Sequence, residues 1–299
     1  MDWFRNNQGK IKYSLNQLFK EIGISKQAVN QYATRQLAFD KDVQMLLLEV
    51  EELRKEHPGC GVEKMYNTLK PEFIGRDRFI DIFMDLGFRL KTKKNYKRTT
   101  YPVSVQYPNL IKGMEVFAPS IIWQSDITYI YVKEEEKFYY AVFIIDVYTK
   151  KIVGHQLTNS MRAVANVKAM QMALKNNDVP KIHHSDRGGQ YLYKPYIELL
   201  KANKIKISMS VSAQDNAYAE RINRTIKEEY IDYWKPKNYE QLKKCVDRAV
   251  YQYNNTRPHN NIGKLSPVIF EENWFNNKLF SKPRFTIFNN EKLLETGQL

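Results

Sequence analysis

The sequence predicts a mixed α/β protein whose five-stranded core follows a small all-α region. Three strand-like runs lie close together in the chain and are followed by helix, strand, helix, strand and helix, which is the pattern of a mixed α/β domain. Before them, helical stripes of apolar residues are separated by glycines. A basic stretch separates the two parts. The 299 residues are enough for two or three domains with one sizeable core.

The formal net charge of +14 predicts a polyanionic partner, most simply nucleic acid. The two cysteines, Cys60 and Cys245, stand in unrelated contexts, which excludes a disulfide framework and a cysteine-based zinc site and fits a reducing compartment. The first residues lack the apolar stretch of a signal peptide, and no apolar run reaches membrane-spanning length. We therefore expect a soluble, cytoplasmic protein.

Residues 1–40 are predicted to contain a helix-turn-helix-like segment. The apolar residues from Leu15 to Ile22 have helical spacing, Gly23 interrupts the pattern, and Ser25 can cap a second helix. Two short helices joined by a glycine turn have the outline of a DNA-binding helix-turn-helix. Any small α-hairpin has the same outline, so DNA contact is one of two open interpretations.

Residues 41–90 are predicted to form a small helical DNA-binding domain. An apolar stripe from Val43 to Leu53 stops before the turn His57-Pro-Gly-Cys-Gly61. Further helices are expected from about Val62 to Leu69 and from about Gly75 to Leu86, followed by Gly87. Three short helices with glycine stops are typical of a compact all-α unit.

Residues 91–119 are predicted to be a basic, extended linker. Between Arg89 and Arg98 the chain has six cations and no acid, so the segment is either a linker or a nucleic-acid-binding arm. We favour the arm, because dense like charges repel one another less when they meet phosphates. The X-Pro steps that follow keep the chain extended. The arm residues expected to contact DNA are Lys93, Lys94, Lys97 and Arg98.

Residues 120–275 are predicted to form the α/β core. The first strand spans Ile121 to Lys133, and the almost continuous apolar run from Phe138 to Val147 is typical of a central strand. The later elements are a strand at 151–157, a helix at 161–174, a strand ending at 186, a helix at 193–202, a strand at 205–209 and helices at 212–227 and 239–256. Residues 276–299 are expected to be a loosely attached tail with one short strand.

Three acidic residues of this core are the candidates for chemistry. Asp126 lies within the first strand, Asp186 lies where a later strand meets a glycine turn, and Glu220 lies on a helix. A carboxylate in a strand needs a partner, and ligands of α/β sheets gather at strand ends. Capping or a salt bridge would explain each acid alone, whereas their order within one domain predicts a shared metal site. Two Mg²⁺ ions there would activate a nucleophile and hold the leaving oxygen of a phosphodiester.

The helix that carries Glu220 is amphipathic. Its apolar side is predicted to contain Ala219, Ile222, Ile226 and Tyr230, and its polar side Asn216, Glu220, Arg224 and Lys227. Arg224 and Lys227 are expected to contact DNA phosphates near the metals. Asn216 is expected to orient Glu220 or to contact DNA.

Neighbouring polar residues are assigned other roles. Asp146 ends the second strand, where a hairpin would set it almost opposite Asp126, as a turn residue or as support for the metal ligands. His184 is expected to contact the metal ligands without binding the metal itself, and His183 is expected to pack in the core. The acids expected to be solvated are Glu228 and Glu229.

Four motifs of the core resemble those of a known family. They are Trp123-Gln-Ser-Asp-Ile-Thr-Tyr129, His184-Ser-Asp-Arg-Gly-Gly-Gln-Tyr191, Asp215-Asn-Ala-Tyr-Ala-Glu220 with Lys227, and Tyr253-Asn-Asn-Thr-Arg-Pro-His259 followed by Leu265-Ser-Pro267. In this order they resemble the second-frame (OrfB) transposases of the IS3 group of insertion sequences, within the retroviral-integrase superfamily. The helical region around His57 to Gly61 also resembles that family, so the likeness covers about residues 10–272.

The resemblance implies a ribonuclease H-like fold, a catalytic Asp-Asp-Glu triad at Asp126, Asp186 and Glu220, and Mg²⁺ or Mn²⁺ as cofactor. It implies strand cleavage at element ends and attack of the freed 3′-hydroxyl on DNA, typically through a circular intermediate. The implied partners are double-stranded DNA, further copies of the chain in a dimer or larger assembly, and a first-frame protein. A bacterial protein of this kind would be associated with the nucleoid when bound.

One departure from the family pattern is visible. Thirty-three residues separate Asp186 from Glu220, where the family usually has thirty-five, and the missing pair falls in the loop from Ser210 to Asp215. The shape of this loop beside the DNA is therefore open. Two alternative functions also stay open: a DNA-binding protein whose core no longer catalyses, and a metal-dependent nuclease without strand transfer.

Overall fold

The computed structural model describes residues 14–90, 107–211, 213–279 and 281–287. Its helices of seven or more residues are α1 (Leu15–Glu21), α2 (Lys26–Glu56), α3 (Val62–Leu69), α4 (Arg76–Phe83), α5 (Val164–Asn176), α6 (Lys194–Ala202), α7 (Ala217–Ile226), α8 (Tyr239–Asn255) and α9 (Pro267–Phe275). Its strands are β1 (Glu115–Val116), β2 (Ile122–Val132), β3 (Lys137–Asp146), β4 (Ile152–Thr158), β5 (Ile182–Ser185), β6 (Lys206–Met209) and β7 (Phe285–Thr286). The predicted arm contacts Lys93, Lys94, Lys97 and Arg98 lie outside the described residues.

The helical region is organised around α2, a single helix of 31 residues. Ser25 caps it as predicted, accepting a hydrogen bond from the backbone N–H of Ala28 at 3.1 Å. No glycine or proline interrupts residues 26–56, so the helix continues through the boundary that we predicted after residue 40. The two helical units expected on either side of that boundary are therefore one element.

A small apolar core joins α2 to the two helices that follow it. Val50 of α2, Met65 of α3, and Phe79 and Phe83 of α4 are fully buried in this cluster. The chain leaves α4 through a π turn, Met84–Phe88, in which Gly87 has a φ of 91°. Only glycine adopts this conformation readily, which explains why the helix ends there.

The five-stranded sheet has the order β4-β3-β2-β5-β6. β2, β3 and β4 form an antiparallel meander, and β5 and β6 run parallel to β2. This is the mixed ribonuclease H-like sheet that we expected, and all five predicted strands are present. β2 lies at the centre of the sheet, so residues on β2 have neighbouring strands on both sides.

Helices cover both faces of the sheet because side chains alternate along β3. Ala141 and Phe143 belong to the cluster that includes the buried side of α7 and α8, whereas Val142 and Ile144 belong to the cluster that includes α5 and α6. Gly154 of β4 lets α5 approach closely, since a Cβ at this position would lie 2.3 Å from the Ala169 carbonyl oxygen.

The β2–β3 register differs from the predicted one. Asp126 pairs with Phe143, whereas Asp146 pairs with Trp123, so the expectation that Asp146 lies almost opposite Asp126 was wrong. Asp146 instead closes the turn after β3, where its Oδ1 accepts hydrogen bonds from the backbone N–H groups of Tyr148 and Thr149. These local bonds satisfy a carboxylate that is only 2% exposed.

The C-terminal segment is more firmly attached than we predicted. Helix α9 begins at the Leu-Ser-Pro motif, where Ser266 accepts a hydrogen bond from the backbone N–H of Ile269. Strand β7 pairs with β1, and Ile287 is buried in the adjoining apolar cluster. Within the described residues, the segment after α9 is therefore part of the core rather than a loose tail.

Candidate active site

Asp126 and Asp186 are brought side by side by the parallel pairing of β2 with β5. Ser125 is the register partner of Ser185, so the next residue along each strand direction is one of the two aspartates. The antiparallel meander of β2, β3 and β4 contains only one predicted metal ligand, Asp126, so it could not form this pair by itself. The pairing of the central strand with β5 therefore creates the two-carboxylate centre of the site.

The environment of Asp126 strongly favours its protonated form. Burial, together with the negative charges of Asp186 and Glu220, raises the pKa of Asp126 to about 8. The backbone N–H of Ile127 and the side chain of Asn223 oppose this shift by donating hydrogen bonds to the carboxylate. A nearby cation would lower the pKa of this carboxyl group and stabilise its charged form.

Asp186 stands at the start of the glycine turn after β5. Its Oδ1 accepts a hydrogen bond from the backbone N–H of Gly188 at 3.0 Å, which holds the carboxylate against the turn. A Cβ at Gly188 would lie 3.0 Å from the same oxygen, so a glycine allows this tight approach. Burial raises the pKa of Asp186, and the Gly188 hydrogen bond lowers it.

Glu220 lies on α7 with its side chain exposed. Burial of its carboxylate raises its pKa, Arg224 lowers the pKa, and the charge of Asp186 raises it again, so the acids of the strand pair and the helix interact electrostatically. Over the described residues, no three His, Cys, Asp or Glu side chains stand in positions that could together hold a metal ion. The three carboxylates influence one another's pKa, but their positions in this structure do not form a complete set of metal ligands.

The helix α7 is fastened to the central strand by side-chain amides that the sequence analysis missed. Asn223 donates a hydrogen bond from Nδ2 to Oδ2 of Asp126 at 2.8 Å. Gln124 of β2 donates from Nε2 to the backbone oxygen of Asp215, in the turn before α7, at 3.2 Å. A signal for Asn223 was present, because positions 216, 220, 223 and 227 form one helical stripe.

Asn216 is not available to DNA in this structure, contrary to one of the two roles expected for it. Its side chain is 2% exposed, and its Nδ2 donates a hydrogen bond to the backbone oxygen of Ser125 at 3.0 Å. The buried amide thus anchors the start of α7 to β2 beside Asp126. The two cationic side chains predicted to contact DNA remain accessible, with Arg224 exposed and Lys227 partly exposed.

The two adjacent histidines face opposite sides of β5. His184 is fully buried and hydrogen-bonded through Nδ1 to Oγ of Ser208 at 2.8 Å, and its register partner on the central strand is Gln124. Its position is two residues before Asp186 along the strand direction, so its imidazole lies on the same face of the sheet as the aspartates, next to the site. His183 packs in the opposite face, where its Nε2 is 3.0 Å from Oγ of Ser125.

Glu229 is partly buried in an ion-pair cluster, which corrects the expectation that it is solvated. Arg257 donates to both carboxylate oxygens at 2.7 Å, and Nζ of Lys64 lies 2.9 Å from Oε1. Burial raises the pKa of Glu229, but the hydrogen bonds and charge of Arg257 outweigh it, so the pKa is lowered overall. Because Lys64 belongs to α3, this cluster joins the helical region to the core.

The motif His57-Pro-Gly-Cys-Gly61 forms the other half of this junction. It contacts the π turn Lys227–Ile231, which continues α7. Gly59 donates its backbone N–H to the backbone oxygen of Glu229 at 2.6 Å, and a Cβ on Gly59 would lie 2.1 Å from the Glu229 Cα. His57 bridges the two parts through Nδ1 to the Tyr230 hydroxyl at 2.9 Å. The helical region is thus fixed to the continuation of the helix that carries Glu220.

Comparisons with known proteins identify related sequences. The family described as "Integrase core domain" matches residues 118–214, and a second family of the same description matches residues 202–267. The matched residues include all three carboxylates. The Shigella sonnei "Insertion element IS600 uncharacterized 31 kDa protein" is 33% identical over 214 residues, which cover 67% of this chain and 76% of the relative.

A second relative is "Transposase InsF for insertion sequence IS3A" of Escherichia coli K12. It is 32% identical over 196 residues, covering 62% of this chain and 66% of the relative. The chain belongs to the IS3 group of insertion-sequence transposases. In this transposase, the integrase core domain corresponds to the five-stranded sheet and the helices that cover it.

A solved structure with a similar fold is the HTLV-2 integrase catalytic core domain in complex with magnesium. It is 18% identical, with a TM-score of 0.44, over 52% of the transposase and 97% of that domain. None of the helices among the described residues of the transposase is both long and apolar enough to cross a membrane.

Proposed function

We propose that the transposase binds double-stranded DNA at the ends of its insertion sequence, cleaves strands there and joins the freed 3′-hydroxyl to DNA by transesterification. The observation that carries the proposal is the pair Asp126 and Asp186, side by side on adjacent parallel strands, with Glu220 on the helix that crosses them. The integrase core family supports the same chemistry.

By the chemistry of their donor atoms the three carboxylates suit a divalent cation, Mg²⁺ or Mn²⁺, although their positions among the described residues do not form a complete ligand set. All three groups are hard oxygen donors, and burial raises the pKa of each. Mutual repulsion adds to this for Asp126 and Glu220, so a cation would relieve an electrostatic cost that the protein itself offsets only in part. When bound in a pair, such ions activate the attacking oxygen and stabilise the leaving oxygen of a phosphodiester. In this proposal Asp126, Asp186 and Glu220 are the metal ligands and catalytic residues.

The surrounding residues position these ligands. Asn223 orients Asp126 through its amide hydrogen bond, and Gly188 holds Asp186 against its turn. Arg224 and Lys227, one and two turns beyond Glu220, contact DNA phosphates close to the carboxylates. The helical region and the basic arm bind the DNA further away, and cutting two ends together requires a dimer or larger assembly.

The test is a cleavage and joining assay on element-end DNA with Mg²⁺, using the full chain. Asp186→Asn should abolish cleavage and joining while leaving DNA binding within about twofold, because it removes a ligand charge without changing side-chain volume. Asp178→Asn, which neutralises an exposed acid, is the matched control. Cleavage and joining by the Asp186→Asn variant would overturn the assignment.

The same assay separates the alternative functions. A metal-dependent nuclease would release cleaved strands without a joined product. A DNA-binding protein with an inert core would bind element ends and give neither product with Mg²⁺ or Mn²⁺. A joined product that depends on all three carboxylates excludes both alternatives.

A further inference from the structure

A cavity of about 170 Å³ lies between the helical region and the core, away from the three carboxylates on the other flank of α7. Four cationic side chains from separate parts of the chain line it. They are Lys64 of α3, Lys150 of the turn between β3 and β4, Arg221 of α7 and Arg257 of the segment after α8. Among the described residues, its lining contains no acidic side chain.

The charges around this cavity do not balance. Glu229, just behind the lining, carries the one negative charge that pairs with both Lys64 and Arg257. Lys150 and Arg221 form no ion pair with a carboxylate in the part of the chain that the structure describes. The cavity is therefore left with an excess of positive charge, which an anion would neutralise.

Lys150 is one of the two buried cations of the cluster and differs from the other, Arg257, in having no carboxylate ion-pair partner among the described residues. The residue is only 7% exposed, and its Nζ donates to the backbone oxygen of Val147 at 2.5 Å and lies 4.1 Å from the Tyr218 ring centroid. Burial lowers the pKa of Lys150 to about 7, although the charge of Asp146 opposes the shift. A buried ammonium group without a carboxylate partner is stabilised when an anion binds beside it.

The mouth of the cavity is suited to an oxyanion that enters from solvent. Arg221, Asn260 and Asn261 line it and are exposed, so one guanidinium and two amides supply hydrogen-bond donors at the rim. Deeper in the cavity, Ile222 and Tyr253 are buried and exclude water from one side. Charge-assisted hydrogen bonds are strongest in such partly dehydrated surroundings.

We propose that this cavity is a phosphate-binding site, in which Lys150 and Arg221 hold the phosphate oxygens and Arg257 adds positive charge at the floor. The phosphate group can belong to a DNA strand or to a small anion, because the cavity recognises the chemistry that both share. The assignment of the occupant as a DNA phosphate rests on the proposed function. The binding of a phosphate group as such does not depend on catalysis.

The first experiment measures thermal unfolding of the full chain in inorganic phosphate against chloride at matched ionic strength. Phosphate should raise the melting temperature of the wild type. In Lys150→Met and Arg221→Gln, the phosphate concentration for half of this effect should rise at least about tenfold, as expected from the loss of one charge-assisted hydrogen bond. Lys201→Met removes the same charge from an exposed position of α6 and should respond as the wild type does.

An unchanged phosphate response in both variants would overturn the proposal. Arg221 is exposed, so its substitution keeps the test valid if the buried Lys150 variant does not fold. The second experiment measures the salt dependence of binding to element-end duplex. A slope reduced by about one in Arg221→Gln identifies a DNA phosphate as the occupant, whereas an unchanged slope together with a weakened phosphate response identifies a small anion.

Discussion

Asn223 on α7 donates its side-chain amide to Asp126 on β2 at 2.8 Å, across 97 positions of the chain. This hydrogen bond joins the helix that carries Glu220 directly to the carboxylate at the centre of the sheet. It opposes the burial and the like charges that raise the pKa of Asp126. Of the amides that fasten α7 to β2, Asn223 is therefore the one that bonds a proposed ligand directly.

We expect Asn223→Ala to reduce strand cleavage by about 10–100-fold at limiting Mg²⁺, because the partners of metal ligands fix their orientation and basicity. The measurement is cleavage of element-end DNA over a Mg²⁺ titration. Asn216→Ala provides the comparison, since it removes an amide of the same helix that bonds a backbone oxygen instead. Asn216→Ala should lower the stability of the fold without raising the Mg²⁺ concentration needed for cleavage. Equal Mg²⁺ requirements in both variants would argue against the role of Asn223.

Glu229→Gln should destabilise the fold strongly. It leaves the Arg257 guanidinium, whose side chain is 9% exposed, without its bidentate partner. Breaking a buried ion pair from one side typically costs about 3–5 kcal/mol. Chemical denaturation should report this loss, and Glu228→Gln, at the exposed neighbouring position, should be close to neutral. A loss below about 1 kcal/mol in Glu229→Gln would mean that the pair contributes no more than a surface salt bridge.

Gly59→Ala should weaken the junction between the helical region and the core. Its Cβ would lie 2.1 Å from the backbone Cα of Glu229, so one of the two backbones has to move. Overpacking of this kind costs about 1–3 kcal/mol or more. Gly61→Ala is the matched control, because nothing lies within 4 Å of a Cβ there and its φ of −71° suits any residue. Similar melting temperatures of the two variants would contradict the close contact.

The four buried histidines should make stability fall on mild acidification, against the opposing effect of Asp126, whose raised pKa makes the folded chain bind a proton. Burial lowers the pKa of His57 and His184 to about 4 and that of His183 to about 3, and it also lowers the pKa of His259. Below the ordinary histidine pKa of about 6.5, the unfolded chain therefore binds protons that the folded chain does not. Each such group reduces the free energy of unfolding by up to about 1.4 kcal/mol per pH unit until its folded pKa is reached.

The check is the free energy of unfolding measured from pH 7.5 to pH 5. His57→Gln should make this dependence shallower by the equivalent of one proton, whatever its effect at pH 7.5. A wild type whose stability does not change over this range would contradict the prediction.

The basic arm should contribute non-specific DNA affinity. Replacing Lys93, Lys94, Lys97 and Arg98 by glutamine should weaken binding to all sequences and flatten its salt dependence by about 0.9 for each phosphate that the arm no longer neutralises. The measurement is affinity for element-end and unrelated duplexes at several salt concentrations. Four exposed lysines elsewhere, replaced in the same way, control for net charge. An unchanged dependence of DNA affinity on salt concentration would show that the arm is not part of the DNA-binding surface.

The sequence alone determined the order of elements and the three candidate carboxylates. Apolar periodicity is a local property, so the five strands and the apolar side of α7 followed from it, and Ala219, Ile222, Ile226 and Tyr230 are all buried as predicted. The motifs around Asp126, Asp186 and Glu220 indicated the family because their residue types and order are specific. Neither inference required knowledge of which distant residues touch.

The tertiary structure decided which polar side chains face inward and what they contact. A helical wheel gives the face of Asn216, Asn223 or Glu229 but does not identify the neighbours across that face. Those neighbours lie up to 165 positions away, as in the pairing of Lys64 with Glu229. Likewise, the strand pattern did not reveal that β5 pairs with β2, nor that Asp146 is three places out of register with Asp126. Local periodicity selects an element and its face, whereas long-range packing and pairing select the partner.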